Sequence, residues 1–324
     1  MTRISVSALP DPIAVPANEN RRISRYRMAE RALWEHYRLQ PTERFFNLGK
    51  AGARIRVVEV GSGPPVLFAH GTAGSAPAFA PLISQLPDFR CLLFDRPGFA
   101  LSSPVSYETA SFGATIADFQ RQLLDALGIP MVDVVGHSIG GLFALRLASN
   151  YPTRVRRIVL LGGGPMIDAA GVPPIIRLVA SPLGGIVVKL MAIRGVTRGM
   201  IRANGHGGSL ADGRIPQAWV DWRTSVTRDT NSMRHERAMV QALVKGNTYR
   251  PGVTFVESEL GAIAHPTLML YGMADPSGSQ TVWRRLIDAM PNAQLQVIEG
   301  AGHMVWLDQP GRVASETASF LRAD

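Results

Sequence analysis

VVGHSIGG, residues 134–141, sets three glycines and a histidine around Ser138, directly after one apolar run and directly before another. The run MVDVV leads in with strand character, and Gly141-Leu142-Phe143-Ala144-Leu145 leads out with helical character. A sharp strand-to-helix turn leaves no room for bulky neighbours and holds its serine in a strained backbone with the hydroxyl presented to a site. Gly136 and Gly140 are the small residues such a nucleophile elbow needs around His137, Ser138 and Ile139. Gly-x-Ser-x-Gly also occurs in plain structural turns, so its meaning depends on what the rest of the chain supplies.

Outward from this turn the chain has a repeating plan. Strand-sized apolar runs recur at RFFNL (44–48), ARIRVVEVG (53–61), PPVLFAHG (64–71), CLLFDRPG (91–98), MVDVVGHS (131–138) and RIVLLGG (157–163). The later runs are apolar almost throughout, as befits strands covered on both faces, and helical patterns separate them. One such pattern places Phe112, Ile116, Phe119, Leu123 and Leu127 at helical spacing before Gly128-Ile129-Pro130 ends it. Alternating strands and helices imply a mostly parallel sheet. After Gly164 the rhythm breaks for about a hundred residues. PPIIRLVASPLGGIVVKLMAIRG and PQAWVDWRTSVTRDTNSMRHERAMVQALVKG both read as helical. Strands resume with HPTLMLYG (265–272) and QLQVIEGAGH (294–303), separated by the helix-like TVWRRLIDAM and followed by ETASFLRA. The middle segment is thus an insertion between two strands of one sheet.

A serine hydroxyl becomes a nucleophile only with a base, a group that orients the base, and donors for the oxyanion it creates. Of the seven histidines, His303 follows a late strand on a glycine-flanked loop. His36 and His235 lie in helical patterns, His206 in the glycine-rich part of the insertion, and His265 just before a strand. Asp275 follows the strand TLMLYG and is the expected orienting acid, with Asp168, after RIVLLGG, in reserve. The order Ser138, Asp275, His303 is the one a nucleophile-elbow architecture calls for. Gly71 and Thr72 follow PPVLFA, so the Thr72 backbone N–H can join that of Ile139 as an oxyanion hole.

These motifs together resemble the α/β-hydrolase superfamily, in the form with a helical cap inserted after the sixth strand. The resemblance rests on HGTAG, DRPGFALS, GHSIGG, YGMADP and GAGHMVWLDQP, and covers roughly residues 44–163 and 265–324. It implies an α/β fold with a mostly parallel eight-stranded sheet flanked by helices. The expected divisions are an N-terminal arm and helix (1–43), a first part of the core (44–163), a helical cap (164–264) and a second part of the core (265–324). In this family the loop of Asp95, Arg96 and Gly98 is structural; its usual second glycine is replaced here by Ala100. Family members that open epoxides or remove halide use aspartate where Ser138 stands, so the resemblance points to acyl transfer through an acyl-enzyme. Carbon–carbon bond hydrolases of the family commonly carry asparagine before the serine, where this chain has His137, which places ester hydrolysis first. Thioesterase and lactonase chemistry use the same triad, and a slowly turning small-molecule receptor is the reading of another class. Leu178, Ile186, Leu190, Trp219 and Trp222 are available to line or cover a pocket, which suits a hydrophobic ester as the substrate partner.

Composition narrows the remaining choices. With 46% hydrophobic and 18% charged residues the chain is an ordinary globular one. Lone Cys91 and the absence of a signal-length apolar run in the first 27 residues make a cytoplasmic location the expectation. The formal net charge of +9 is spread along the chain without a concentrated face or stacking aromatics, which argues against nucleic acid. No C-x-x-C, H-E-x-x-H, carboxylate cluster or dinucleotide fingerprint appears, so no metal or cofactor is expected. Residues 173–193 approach the length of a membrane span, but Arg177, Pro182, Gly184, Gly185 and Lys189 interrupt them. Paired cap helices fit better, with peripheral membrane contact left open. Tyr26, Ala29, Leu33 and Tyr37 form a helical stripe expected to dock on the chain's own domain, the alternative being a basic anchor to lipid. Residues 1–20 are expected to form an irregular arm. The oligomeric state is not legible.

Overall fold

The computed structural model describes residues 21–49 and 52–323; the expected arm of residues 1–20 lies outside them. Eight strands form one sheet: β1 (Thr42–Leu48), β2 (Ala53–Val60), β3 (Pro65–Ala69), β4 (Arg90–Phe94), β5 (Val132–His137), β6 (Val155–Leu161), β7 (Thr267–Gly272) and β8 (Ala293–Ile298). Their spatial order is β1-β2-β4-β3-β5-β6-β7-β8. β2 runs antiparallel to both of its neighbours, and all other pairs are parallel.

The apolar runs are explained by burial on both faces. Val134, Ile158, Leu160 and Met269 point into one core, while Val135, Val159, Leu161 and Leu268 point into the other. Helices α2 (Phe112–Ala126) and α3 (Ile139–Asn150) cover the first face, where Phe112, Ile116, Leu123, Leu142 and Phe143 are buried. The N-terminal helix α1 (Arg21–His36) contributes Tyr26 and Leu33 to the second core.

α1 docks on the protein, with Tyr26, Glu30, Leu33 and Trp34 buried, so the stripe expected from periodicity is shifted: Ala29 and Tyr37 are only half-buried. Glu30 is buried because Arg56 of β2 meets both of its oxygens, at 2.8 and 3.0 Å. Arg25 also pairs with Asp229 in the insertion at 2.8 Å.

Between β6 and β7 the chain forms α4 (Pro174–Ala180), α5 (Gly184–Met191), α6 (Arg194–Ile201), α7 (Gln217–Asp229) and α8 (Ser232–Leu243), with short helical turns between. No single helix among the described residues is long and apolar enough to cross a membrane; α4 and α5 qualify only as a pair, and they bend by 116°. After β7 come α9 (Gln280–Asp288) and, past β8, α10 (Pro310–Arg322). Ala100, standing where the loop after β4 usually carries glycine, has φ 44°. Its N–H is held at 2.9 Å by the Ser232 hydroxyl at the start of α8, so the loop keeps a left-handed turn that alanine disfavours.

Candidate active site

Ser138 lies between β5 and α3 with φ 55° and ψ −122°, a conformation that an L-residue holds only under constraint. The constraint is visible on both sides. Ser138 N–H donates to Leu161 O at 3.2 Å, and its carbonyl accepts from Gly141 N–H at 2.8 Å. Gly140 is required by space: a Cβ there would stand 1.9 Å from the Ala69 carbonyl oxygen. Gly136 backs directly onto Gly140 across the turn. The elbow is thus pressed against β3, which brings Gly71 and Thr72 alongside.

His303 arrives on the loop after β8, and Asp275 on the loop after β7. His303 Nδ1 lies 3.0 Å from each carboxylate oxygen of Asp275. Asp275 also accepts from Gly163 N–H at 2.7 Å and Ser277 N–H at 2.8 Å. Burial opposes its ionisation, but the His303 charge and these hydrogen bonds outweigh it and hold the carboxyl well below the usual carboxylate range. The carboxylate is therefore ionised at neutral pH, and a donor on Nδ1 leaves Nε2 of His303 free to accept. Ser277 Oγ sits 2.9 Å from the same Nδ1, a contact that no pattern in the sequence signals. Asp168 lies in an exposed turn whose N–H bonds Phe255 O, and it takes no part in this arrangement.

Ser138, His303, Thr72 and Ile139 line one cavity of about 340 Å³. Ile139 opens α3, so its N–H is among the unpaired donors at the positive end of a helix. Much of the wall is apolar, from Ile176, Val179, Met191, Met233, Val240 and Leu243. None of the side chains expected to line or cover it lines it. Leu178, Ile186 and Leu190 face outward, 43–59% exposed. Trp219 and Trp222 pack edge to face at 5.5 Å in the core shared with α1. The short insertion helices present two apolar sides, and periodicity cannot say which one faces the cavity.

Polar side chains interrupt the apolar wall, Glu236, Arg223 and His137 among them. Glu236 of α8 accepts from the Thr72 hydroxyl at 3.1 Å and pairs with buried Arg96 at 3.4 Å. Burial raises its pKa, with Arg96 opposing most strongly. Arg223 of α7 touches the Thr72 carbonyl with Nη2 at 3.4 Å, while its Nη1 is buried with no hydrogen-bond partner among the described residues. Burial draws the Arg223 pKa down to about 10 against the pull of Glu236, so it remains a cation at neutral pH. Two guanidiniums thus face one carboxylate. His137, beside Ser138, is buried between the rings of His303 and Trp306, both at 4.7 Å. Burial, then the His303 charge, lowers its pKa far below the ordinary value, so it stays neutral. His70 accepts the Arg96 N–H on Nε2 and is packed under the Gly71 carbonyl, a structural histidine.

The insertion also grips the loop that carries His303. α6 continues into a π-helical turn, Arg202–His206, whose Gly205 has φ 89° and leaves no room for a side chain beside Ala274 O. Asn204 O accepts the His303 N–H at 2.9 Å, and His206 Nε2 accepts the Met304 N–H at 3.1 Å. His206 Nδ1 then donates to Asp308 at 2.6 Å, and Asp308 also takes Gly302 N–H at 2.8 Å and the Ser209 hydroxyl. The backbone on both sides of His303 is fixed from the insertion. Sequence reading placed His206 in the insertion without a role, because its partners lie about a hundred residues away.

The family model for the α/β hydrolase fold matches residues 64–177. A hydrolase of 2-hydroxy-6-oxononadienedioate and 2-hydroxy-6-oxononatrienedioate from Cupriavidus pinatubonensis is 30% identical over 81% of this chain and 89% of its own. The chain belongs to the α/β-hydrolase superfamily. A 2-hydroxymuconate semialdehyde hydrolase from a Pseudomonas species is 27% identical to this α/β-hydrolase over 84% of the chain and 91% of the relative. Among solved structures, naproxen esterase from Bacillus subtilis superposes on this α/β-hydrolase with TM-score 0.73 at 18% identity, covering 94% of this chain and all of its own. The 2-hydroxy-6-oxo-6-phenylhexa-2,4-dienoate hydrolase of a Rhodococcus species gives 0.70 at 20%, covering 88% and 100%. At these identities the two structures speak for the fold, with its mostly parallel sheet, and not for the reaction.

Proposed function

We propose that this hydrolase uses Ser138 as nucleophile, His303 as base and Asp275 as orienting acid to split a carbon–carbon bond in a carboxylate-bearing 2-hydroxy-6-oxodienoate, with residues 164–264 as the cap over the site. The observation that carries the reading is Arg223, a cation in the largely apolar cavity beside Ser138 whose buried Nη1 has no hydrogen-bond partner among the described residues, although the Glu236 carboxylate shares the wall. A buried donor of this kind costs free energy unless something fills it, and a substrate carboxylate is the group a guanidinium fits best. The relatives' names supply the rest. A compound such as 2-hydroxy-6-oxo-6-phenylhexa-2,4-dienoate contains no ester or amide, so its hydrolysis must break a carbon–carbon bond. This reading replaces ester cleavage as the first choice.

The chemistry follows from the geometry. With the substrate in its keto tautomer, Ser138 Oγ adds to the C6 carbonyl as His303 Nε2 takes the hydroxyl proton. Thr72 and Ile139 N–H receive the oxyanion. Collapse breaks C5–C6; the electron pair delocalises onto the oxygen of the carbonyl next to the carboxylate, and the proton held by His303 passes to that dienolate, which leaves as the 2-hydroxydienoate. Water, deprotonated by His303, then hydrolyses the acyl-enzyme and frees Ser138. Ester cleavage by the same steps is the second reading. It is favoured by His137, where carbon–carbon hydrolases of this superfamily commonly have asparagine.

Arg223→Met tests the anchor. Its kcat/KM for a 2-hydroxy-6-oxodienoate is expected to fall by about 10- to 100-fold, the range for a lost hydrogen bond to a charged group. Hydrolysis of a neutral p-nitrophenyl ester should stay within about threefold. Equal losses on both substrates would make Arg223 a packing residue and remove the reason for an anionic substrate.

A further inference from the structure

Ten large apolar side chains are exposed among the described residues, and six of them, Ile175, Leu178, Leu183, Ile186, Leu190 and Ile193, lie on α4, α5 and the turns that flank them, at 41–61% exposure. Scattered exposure is ordinary; concentration of this kind marks an interaction surface. Its charge is one-sided. From residue 169 to residue 211 the chain carries Arg177, Lys189, Arg194, Arg198 and Arg202 and no acidic residue. Arg177, Lys189 and Arg202 are exposed. Arg194 pairs with Asp221, which leaves the patch basic.

We propose that α4 and α5 dock on the surface of an anionic lipid bilayer. The apolar side chains would enter the boundary between headgroups and acyl chains while the flanking bases meet lipid phosphates, the pattern of an interfacial helix pair. Neither helix alone is long enough to span, and the two qualify only as a pair that bends by 116° between them, which suits lying at the interface better than crossing it. A second copy of the chain fits the surface less well, since an isologous contact would bring two basic patches together, with residues 169–211 supplying no acid on either side. The patch also runs into the catalytic cavity. Ile175 belongs both to the exposed face and to the cavity wall, which Ile176, Val179 and Met191 of the same two helices continue. Docking therefore sets the apolar wall of the cavity against the bilayer, a route for an amphiphilic substrate whose apolar part is dissolved in lipid. The proposal stands independently of which bond is cleaved.

The test is cosedimentation of the full chain with vesicles of phosphatidylcholine, alone or mixed in equal parts with phosphatidylglycerol. Wild type is expected to sediment with the mixed vesicles, less with phosphatidylcholine alone, and less as salt is raised. Leu183→Asp combined with Ile186→Asp should weaken binding by at least about tenfold. Arg177→Gln combined with Lys189→Gln should remove the preference for phosphatidylglycerol without changing an apolar contact. None of these four side chains lines the cavity, so hydrolysis of a short, water-soluble ester and the melting curve serve as controls for folding. Wild type that stays in the supernatant overturns the proposal, whether another segment or a second copy covers the face. So does equal binding by wild type and the Leu183→Asp, Ile186→Asp variant, or a wild-type dimer in lipid-free solution that this variant converts to monomer.

Discussion

Ser138→Ala is expected to lower turnover by about four to six orders of magnitude while leaving the fold and substrate affinity in place. The reason lies in how little else the hydroxyl does. The strained turn is held by backbone bonds from Ser138 to Leu161 and Gly141 and by contact of Gly140 with Ala69, none of which needs Oγ. Alanine keeps a Cβ and loses only the proposed nucleophile, so the Thr72 and Ile139 N–H groups, the apolar wall and Arg223 remain. Turnover measured beside a thermal melt and a direct binding titration separates the outcomes. Undiminished turnover would show that Ser138 is not the nucleophile, and loss of the melt would show that the turn depends on its side chain.

Asp275→Asn is expected to cost about 10⁴-fold in turnover, and some stability as well. The carboxylate accepts from Gly163 N–H, Ser277 N–H and His303 Nδ1. An amide in its place must aim its NH₂ at one of these donors whichever way it is flipped. A buried donor is then left unpaired, at about 1–3 kcal/mol. The larger effect falls on the reaction, because the neutral imidazole loses its fixed tautomer and the imidazolium that forms on proton transfer loses its counter-charge. Asp168→Asn is the control, exposed and not among the partners of His303 Nδ1, and should be close to neutral in both turnover and stability. The reverse pattern would reassign the acid.

The parts of the fold that were legible share a physical origin. A strand buried on both faces must be apolar throughout, and the strands were placed within a few residues of their observed ends because nothing else in the chain looks like them. That Ser138, Asp275 and His303 would come together at one sheet edge was legible because each follows the carboxyl end of a strand, where chemistry in an open α/β sheet collects. The missed features depend on partners distant in sequence. Glu30 is buried by Arg56, His206 by Asp308, and Glu236 by Arg96. Each looks like a surface residue until the fold supplies its counterpart. Arg223 sits in a helical pattern among polar neighbours, and only its unfilled N–H in the cavity distinguishes it. The insertion was legible as helices but not in orientation, since α4 and α5 are apolar on both sides and one of those sides faces out.

The central claim, carbon–carbon hydrolysis of an anionic dienoate, is tested most directly by kcat/KM for 2-hydroxy-6-oxo-6-phenylhexa-2,4-dienoate against p-nitrophenyl butanoate on one preparation of the wild type. Cleavage of the dienoate to benzoate and the 2-hydroxydienoate, favoured by at least about 100-fold, is the expected result; that ratio is about 2.7 kcal/mol of transition-state preference. Rapid hydrolysis of the ester with no benzoate released from the dienoate would contradict it and return the site to ester chemistry.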